Sequence, residues 1–196
     1  MERVIVGIGG ASGAILAKVL IEYLSILTEI QMHIVTTPHG DAVFAHEIGE
    51  SLDSFLARQK DEGAKIIRHG SQDMFAPIAS GSFGAKSMVV VPCSMCTAGK
   101  LASGISDNLL CRAADVMLKE RQKLVLVPRE SPMHEIHLQN LAKLSGLGAV
   151  VAPPVPMFYD KAKTLDEMAA AMVGRILKAM DIPNDLYTVW EGGGKT

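Results

Sequence analysis

Two segments of this chain set small and hydroxyl-bearing residues directly after apolar runs, where a strand hands over to a helix beside a ligand. After RVIVGI comes Gly9-Gly10-Ala11-Ser12-Gly13-Ala14. Small side chains there let the backbone approach a ligand, and Ser12 can offer a hydroxyl near a helix N-terminus, whose free N–H groups favour an anion. After SMVVVP comes Cys93-Ser94-Met95-Cys96-Thr97, with two hydroxyls and several N–H groups for a phosphate or a ring edge. The glycine spacing departs from the dinucleotide fingerprint, and Thr36-Thr37 rather than an acidic residue closes the second strand. This argues against a nicotinamide dinucleotide and is compatible with a mononucleotide, although a plain tight turn also accounts for a lone glycine cluster.

Charge enters later in the chain. Arg129 and Glu130 follow KLVLVP, an Arg able to clamp phosphate with two parallel hydrogen bonds beside a carboxylate able to move protons; a capped turn is the structural alternative. Arg112, Asp115 and Lys119 form one helical stripe, read either as a solvated ladder or as a phosphate holder. Pro153-Pro154-Val155-Pro156-Met157-Phe158-Tyr159 is stiff and apolar, a wall suited to an isoprenoid tail, and Arg175 falls at the edge of the last helix's buried face. Cys93 and Cys96 share a Cys-x-x-Cys spacing, but zinc would need a second pair and none exists; two thiols lining a site, or a redox dithiol, remain. His33, His134 and His137 have no ligand-spaced partner and read as packing or surface residues.

The elements that must position these groups alternate. RVIVGI, MHIVTT, SMVVVP, KLVLVP and AVVAP read as strands, and 13–27, 38–49, 108–120, 133–147 and 164–180 as helices. Strands apolar on both faces belong to a parallel sheet covered by helices on both sides. With 196 residues and 48% apolar composition, the chain is expected to form one domain over 1–183, with an irregular, partly mobile tail over 184–196 from which Trp190 docks on a neighbour. A net charge of −2 gives no footprint for nucleic acid. No apolar run reaches a membrane span, there is no leader, and three cysteines make no disulfide framework, so a cytoplasmic protein is expected.

Taken in order, GGASGA, ASGSFGAKSMVVVPCSMCT, DNLLCRAADVMLKERQKLVLVPRESP, IHLQNLAKLSGLGAVVAPPVPMFY and the late Arg175 resemble the UbiX-like flavin prenyltransferases, formerly called 3-octaprenyl-4-hydroxybenzoate carboxy-lyases. The resemblance covers nearly the whole chain. It implies an α/β flavodoxin-like, Rossmann-like three-layer sandwich with a mostly parallel sheet, assembled as a homododecamer of trimers. It implies that Gly10, Ala11, Ser12, Thr37, Ser94, Met95, Cys96, Thr97 and Arg129 contact reduced FMN, Cys96 through its backbone. Tyr159 and Arg175, with Lys119 nearby and Arg129, would hold dimethylallyl phosphate, while Glu47 and Glu130, with Ser12, would do the catalytic proton work. The implied reaction joins the dimethylallyl group to N5 and C6 of reduced FMN without a metal, and the product serves a UbiD-like decarboxylase. The family commonly carries Thr where this chain has Gly9, which would remove a hydroxyl near the flavin. A related flavin-dependent cysteine decarboxylase would need a histidine after the second helix, where only His46 stands; a non-catalytic flavin carrier is the third reading.

Overall fold

The computed structural model describes residues 1–190 and 192. Six strands, β1 (Glu2–Ile8), β2 (Ile30–Thr36), β3 (Ile66–His69), β4 (Ser87–Cys93), β5 (Lys123–Pro128) and β6 (Val150–Val151), form one sheet in the order β3-β2-β1-β4-β5-β6. All the pairings are parallel, so the sheet is wholly rather than mostly parallel. Parallel neighbours need crossovers, which are supplied by α1 (Ala14–Ser25), α2 (Pro38–Ile48) with α3 (Leu52–Asp61), α4 (Met95–Ala102) with α5 (Leu109–Lys119), and α6 (Glu135–Gly146). The last helix, α7 (Leu165–Ala179), packs on α1.

Alternation along each central strand sends successive side chains to opposite faces. Val4, Val6 and Ile8 join Leu20, Phe44, Phe55 and Val173 in one core, beneath α1, α2, α3 and α7. Ile5, Met88 and Val90 join Leu101, Leu110 and Met117 in the other, beneath α4 and α5. These two cores explain the unbroken apolar strands and make a three-layer flavodoxin-like sandwich.

The chain leaves the sheet's edge at β3 and returns beside β1 as β4, so strand order reverses between β1 and β4. Ligand sites of open parallel sheets lie at the carboxyl ends of the strands flanking such a reversal. The loops opened by Gly9 and by Ser94 stand at those ends. The tail reading changes: Asn184 donates from Nδ2 to the Gly174 carbonyl at 3.0 Å, the Thr188 N–H reaches Asp160 at 3.3 Å, and Leu186 packs on the core. Residues 184–188 are therefore fastened to α7 and to the turn at Asp160, while the glycine-rich tip expected to be mobile lies largely outside the described residues.

Candidate functional site

A cavity of about 480 Å³ opens at the carboxyl ends of β1, β2 and β4, and three helix N-caps line it: Thr37 of α2, Ser94 of α4 and Asn108 of α5. Each cap follows from residue type, because a short oxygen-bearing side chain can accept from the first helical turn. Thr37 Oγ1 accepts from Gly40 N at 3.1 Å, Ser94 Oγ from Thr97 N at 3.2 Å, and Asn108 Oδ1 from Cys111 N at 2.9 Å. Three helix N-termini converging on one cavity give it a positive field without a metal ligand set. Gly10, Cys96 and Thr97 complete the expected part of the wall. A larger cavity of about 550 Å³ touches Ile30 at the amino end of β2, far from every loop that carries candidate chemistry.

The glycines of this loop also allow close packing within the protein itself. A Cβ on Gly10 would stand 2.6 Å from His39 Cβ, and one on Gly9 would stand 2.6 Å from the Pro92 carbonyl oxygen. The missing side chains thus let the β1 loop close against its neighbours in the protein, and the Gly9 N–H donates to that Pro92 carbonyl at 3.0 Å. A threonine at position 9 would need these loops to separate.

Beside the cavity, Ser12, Glu47 and Arg129 form a second group. Glu47, near the end of α2, accepts from Gly13 N at 2.9 Å and Ala14 N at 2.8 Å. The anion expected at the N-terminus of α1 is therefore the protein's own carboxylate. Burial pushes the Glu47 carboxyl up, but bonds from Ser12, Gly13 and Ala14 and the nearby Arg129 cation outweigh it and hold the group below its ordinary range. Arg129 Nε donates to the Ser12 carbonyl at 3.1 Å, tying the end of β5 to the β1 loop. Glu130 is exposed, and its Oε1 accepts from the adjacent Ser131 N–H at 3.1 Å.

Several expected contacts lie elsewhere. Met95 is buried in the core beneath α4 and Ala11 is also buried, which leaves their backbones as the groups available to a ligand. Cys96, by contrast, exposes its side chain in the cavity. Cys93 is buried, and burial pushes its thiol up to about 12; burial likewise raises Cys111. A buried thiol so hard to ionise is a poor nucleophile, which argues against the redox-dithiol reading.

Tyr159 and Arg175 do not line the cavity; the tail engages both, Tyr159 against the Trp190 ring at 5.4 Å and Arg175 over the Tyr187 ring at 5.4 Å. Lys119 is not near the site within one chain. Helix α5 starts at the cavity with Asn108 and runs back toward the start of β5, so Lys119 ends about 16 Å along the helix axis, where it pairs with Glu120.

Sequence reasoning missed His39, Gln72, Lys100 and Asp107, all of which line the cavity. Lys100 carried a signal, since it stands one turn beyond Cys96 on the same face of α4. His46, the histidine of the decarboxylase alternative, is exposed on α2 and is not part of the cavity wall.

A profile of the family described as Flavoprotein matches residues 1–179. Among curated proteins, the flavin prenyltransferase UbiX of Chlamydia pneumoniae is 43% identical over 97% of this chain and 98% of its own. The chain belongs to the UbiX-like flavin prenyltransferase family. Among solved structures it superposes on AnUbiX (PadA1), crystallised with FMN and dimethylallyl pyrophosphate, with a TM-score of 0.90, 38% identity, and coverage of 98% of this chain and 99% of that one. It also superposes on a dodecameric FMN-dependent UbiX-like decarboxylase from Escherichia coli O157:H7, with a TM-score of 0.91, 37% identity, and coverage of 97% and 100%.

Proposed function

We propose that this protein is a flavin prenyltransferase that joins the dimethylallyl group of dimethylallyl phosphate to N5 and C6 of reduced FMN, supplying prenylated FMN to a UbiD-like decarboxylase. The observation that carries the reading is the cavity whose wall holds three helix N-caps and the Thr37, Ser94 and Thr97 hydroxyls, in a chain of this family. That donor set fits a phosphate-bearing mononucleotide, and FMN when bound supplies the ring atoms to which the allyl group is joined.

The chain's own residues then divide the work. Gly10, Thr37, Ser94, Cys96 and Thr97 border the flavin, with Ala11 and Met95 contributing backbone groups. Ser12, Glu47 and Arg129 form a hydrogen-bonded group beside it. A cation facing the allylic phosphate stabilises the charge that builds as the phosphate departs, and we assign this to Arg129, Arg175 and Lys119 with the Tyr159 phenol. Glu130 is assigned the movement of protons, and Glu47, held ionised, serves as an acceptor that orients Ser12. The 153–159 wall would exclude water from the allylic group.

Because α5 carries Lys119 away from its own cavity, its role requires a neighbouring copy. Phe75, Ile136, Leu138, Phe158 and Trp190 are exposed in the single chain, apolar surface that a homo-oligomer of the dodecameric kind would cover. Among the described residues no helix is long and apolar enough to cross a membrane, and we place the enzyme in the cytoplasm. The test is release of inorganic phosphate from dimethylallyl phosphate under anaerobic conditions. The reading requires release that depends on protein and on reduced FMN together; release without flavin, or none with flavin bound, would overturn it.

A further inference from the structure

The cavity wall contains a charged pair that the reading above leaves unused. Lys100 Nζ lies 2.6 Å from Asp107 Oδ2, and both residues border the cavity with the three N-caps. Lys100 belongs to α4 and Asp107 to the segment leading into α5, so the bridge spans the two helices whose caps, Ser94 and Asn108, face the same space. Exposed ion pairs contribute little to stability, a median of about 0–1 kcal/mol, so the fold has small need of this one. Its hydrogen bond to Asp107 raises the Lys100 ammonium from its ordinary value and favours the charged form.

On α4, Cys96 and Lys100 are four residues apart on one face, so the face turned to the cavity carries a thiol and then, one turn along the helix, a cation. The Thr37, Ser94 and Thr97 hydroxyls offer bonds to an anion, but among the described residues that line this cavity Lys100 is the one full positive charge, the imidazole of His39 aside. Arg129, the other cation expected to contact the flavin, donates instead to the Ser12 carbonyl and is not part of this wall.

We infer that Lys100 is a flavin-site residue that binds the phosphate of FMN, with Asp107 as the positioning residue that aims its ammonium into the cavity. The inference rests on the flavin reading above and adds to it a residue that sets the preference for the phosphorylated flavin. The consequence is selective: removing the charge weakens FMN and leaves riboflavin, which has the same ring and no phosphate, untouched.

The experiment measures dissociation constants for FMN and riboflavin by quenching of flavin fluorescence, with wild type, Lys100→Met and Lys100→Arg. Methionine keeps the length of the side chain without its charge. A charge-assisted hydrogen bond at a partly exposed site is worth about a tenfold change in affinity. Lys100→Met should therefore lower the preference for FMN over riboflavin about tenfold, with riboflavin binding unchanged, and Lys100→Arg should keep most of it. An unchanged preference in Lys100→Met, or equal losses for both flavins, would overturn the assignment while wild-type FMN binding and prenylation leave the flavin reading standing. Wild type that binds neither flavin would overturn both.

Discussion

Replacing Glu47 by alanine removes the carboxylate that accepts the N–H groups of Gly13 and Ala14 at 2.9 and 2.8 Å. Gly13, the N-cap of α1, has no side chain to take over, and the first turn of α1 contains no acidic residue, so both donors would be left to water. Losing an N-cap acceptor costs about 0.5–2 kcal/mol, and a charged acceptor of two bonds belongs at the upper end. Glu47 is solvent-exposed, which screens its charge and limits the total to about 2 kcal/mol. In a domain of 150–250 residues each kcal/mol moves Tm by roughly 2–4 °C, so Glu47→Ala should melt about 4–8 °C lower, at fixed protein concentration because assembly shifts Tm. Glu47→Gln keeps an oxygen without the charge and should lose about half as much.

The pH dependence has a definite sign. A carboxylate held below its ordinary pKa, here 4.5, contributes stability that is present above that value and is lost as pH falls through the folded value. The gap between wild type and Glu47→Gln should therefore be open near neutrality and shrink in acid. Circular dichroism melts in neutral and strongly acidic buffer measure both quantities. Equal melting of wild type and Glu47→Ala at neutral pH, or a gap to Glu47→Gln that persists undiminished in acid, would refute the capping argument.

Other perturbations probe separate parts of the molecule. Glu130→Gln should leave FMN affinity unchanged and slow product formation by at least tenfold, read from single turnovers with FMN already bound; full turnover would remove the proton role. Arg175→Ala should weaken dimethylallyl phosphate about tenfold more than FMN in parallel titrations, and equal losses would make it a support for the Tyr187 tail contact. His33 Nδ1 lies 2.9 Å from His69 Nε2, and burial first, then His69 and Arg3, push His33 from 6.5 down to about 4, while burial also lowers His69 against the opposing pull of Asp73. The unfolded chain then takes up the proton first, so stability is full above 6.5 and falls as pH drops toward 4, by about 3 kcal/mol for His33. A denaturant series across that window should show the decline in wild type and a shallower one in His33→Gln; parallel curves would contradict it.

The parts of the fold legible in the sequence were those written in local grammar. Five strands and the helices α1, α2, α5, α6 and α7 follow from apolar runs and helical periods, and the hydroxyls of Thr37, Ser94 and Thr97 stood out because they directly follow strands, where Thr37 and Ser94 cap helices. Strand β3 was missed because four residues, IIRH, give no room for a pattern, and Arg68 and His69 interrupt it. Helix α3 was missed because Leu52, Phe55, Leu56 and Gln59 form a narrow buried stripe among charged residues. Glu47 was legible only through the family resemblance, and its capping of α1 exists because α2 packs beside that helix, a tertiary fact. Likewise Gln72 from the loop after β3 and Asp107 from the α4–α5 connection reach the cavity through topology, and neither carries a local signal. Lys119 shows the converse: a residue legible in the family pattern whose place becomes intelligible only from the direction of its helix.

The most direct measurement incubates the protein anaerobically with reduced FMN and dimethylallyl phosphate and takes the mass of the flavin released. The account predicts flavin heavier by one five-carbon unit, in proportion to phosphate liberated and absent when the allylic phosphate is withheld. Flavin recovered at the mass of unmodified FMN, under conditions where its binding to the protein is demonstrated, would contradict it.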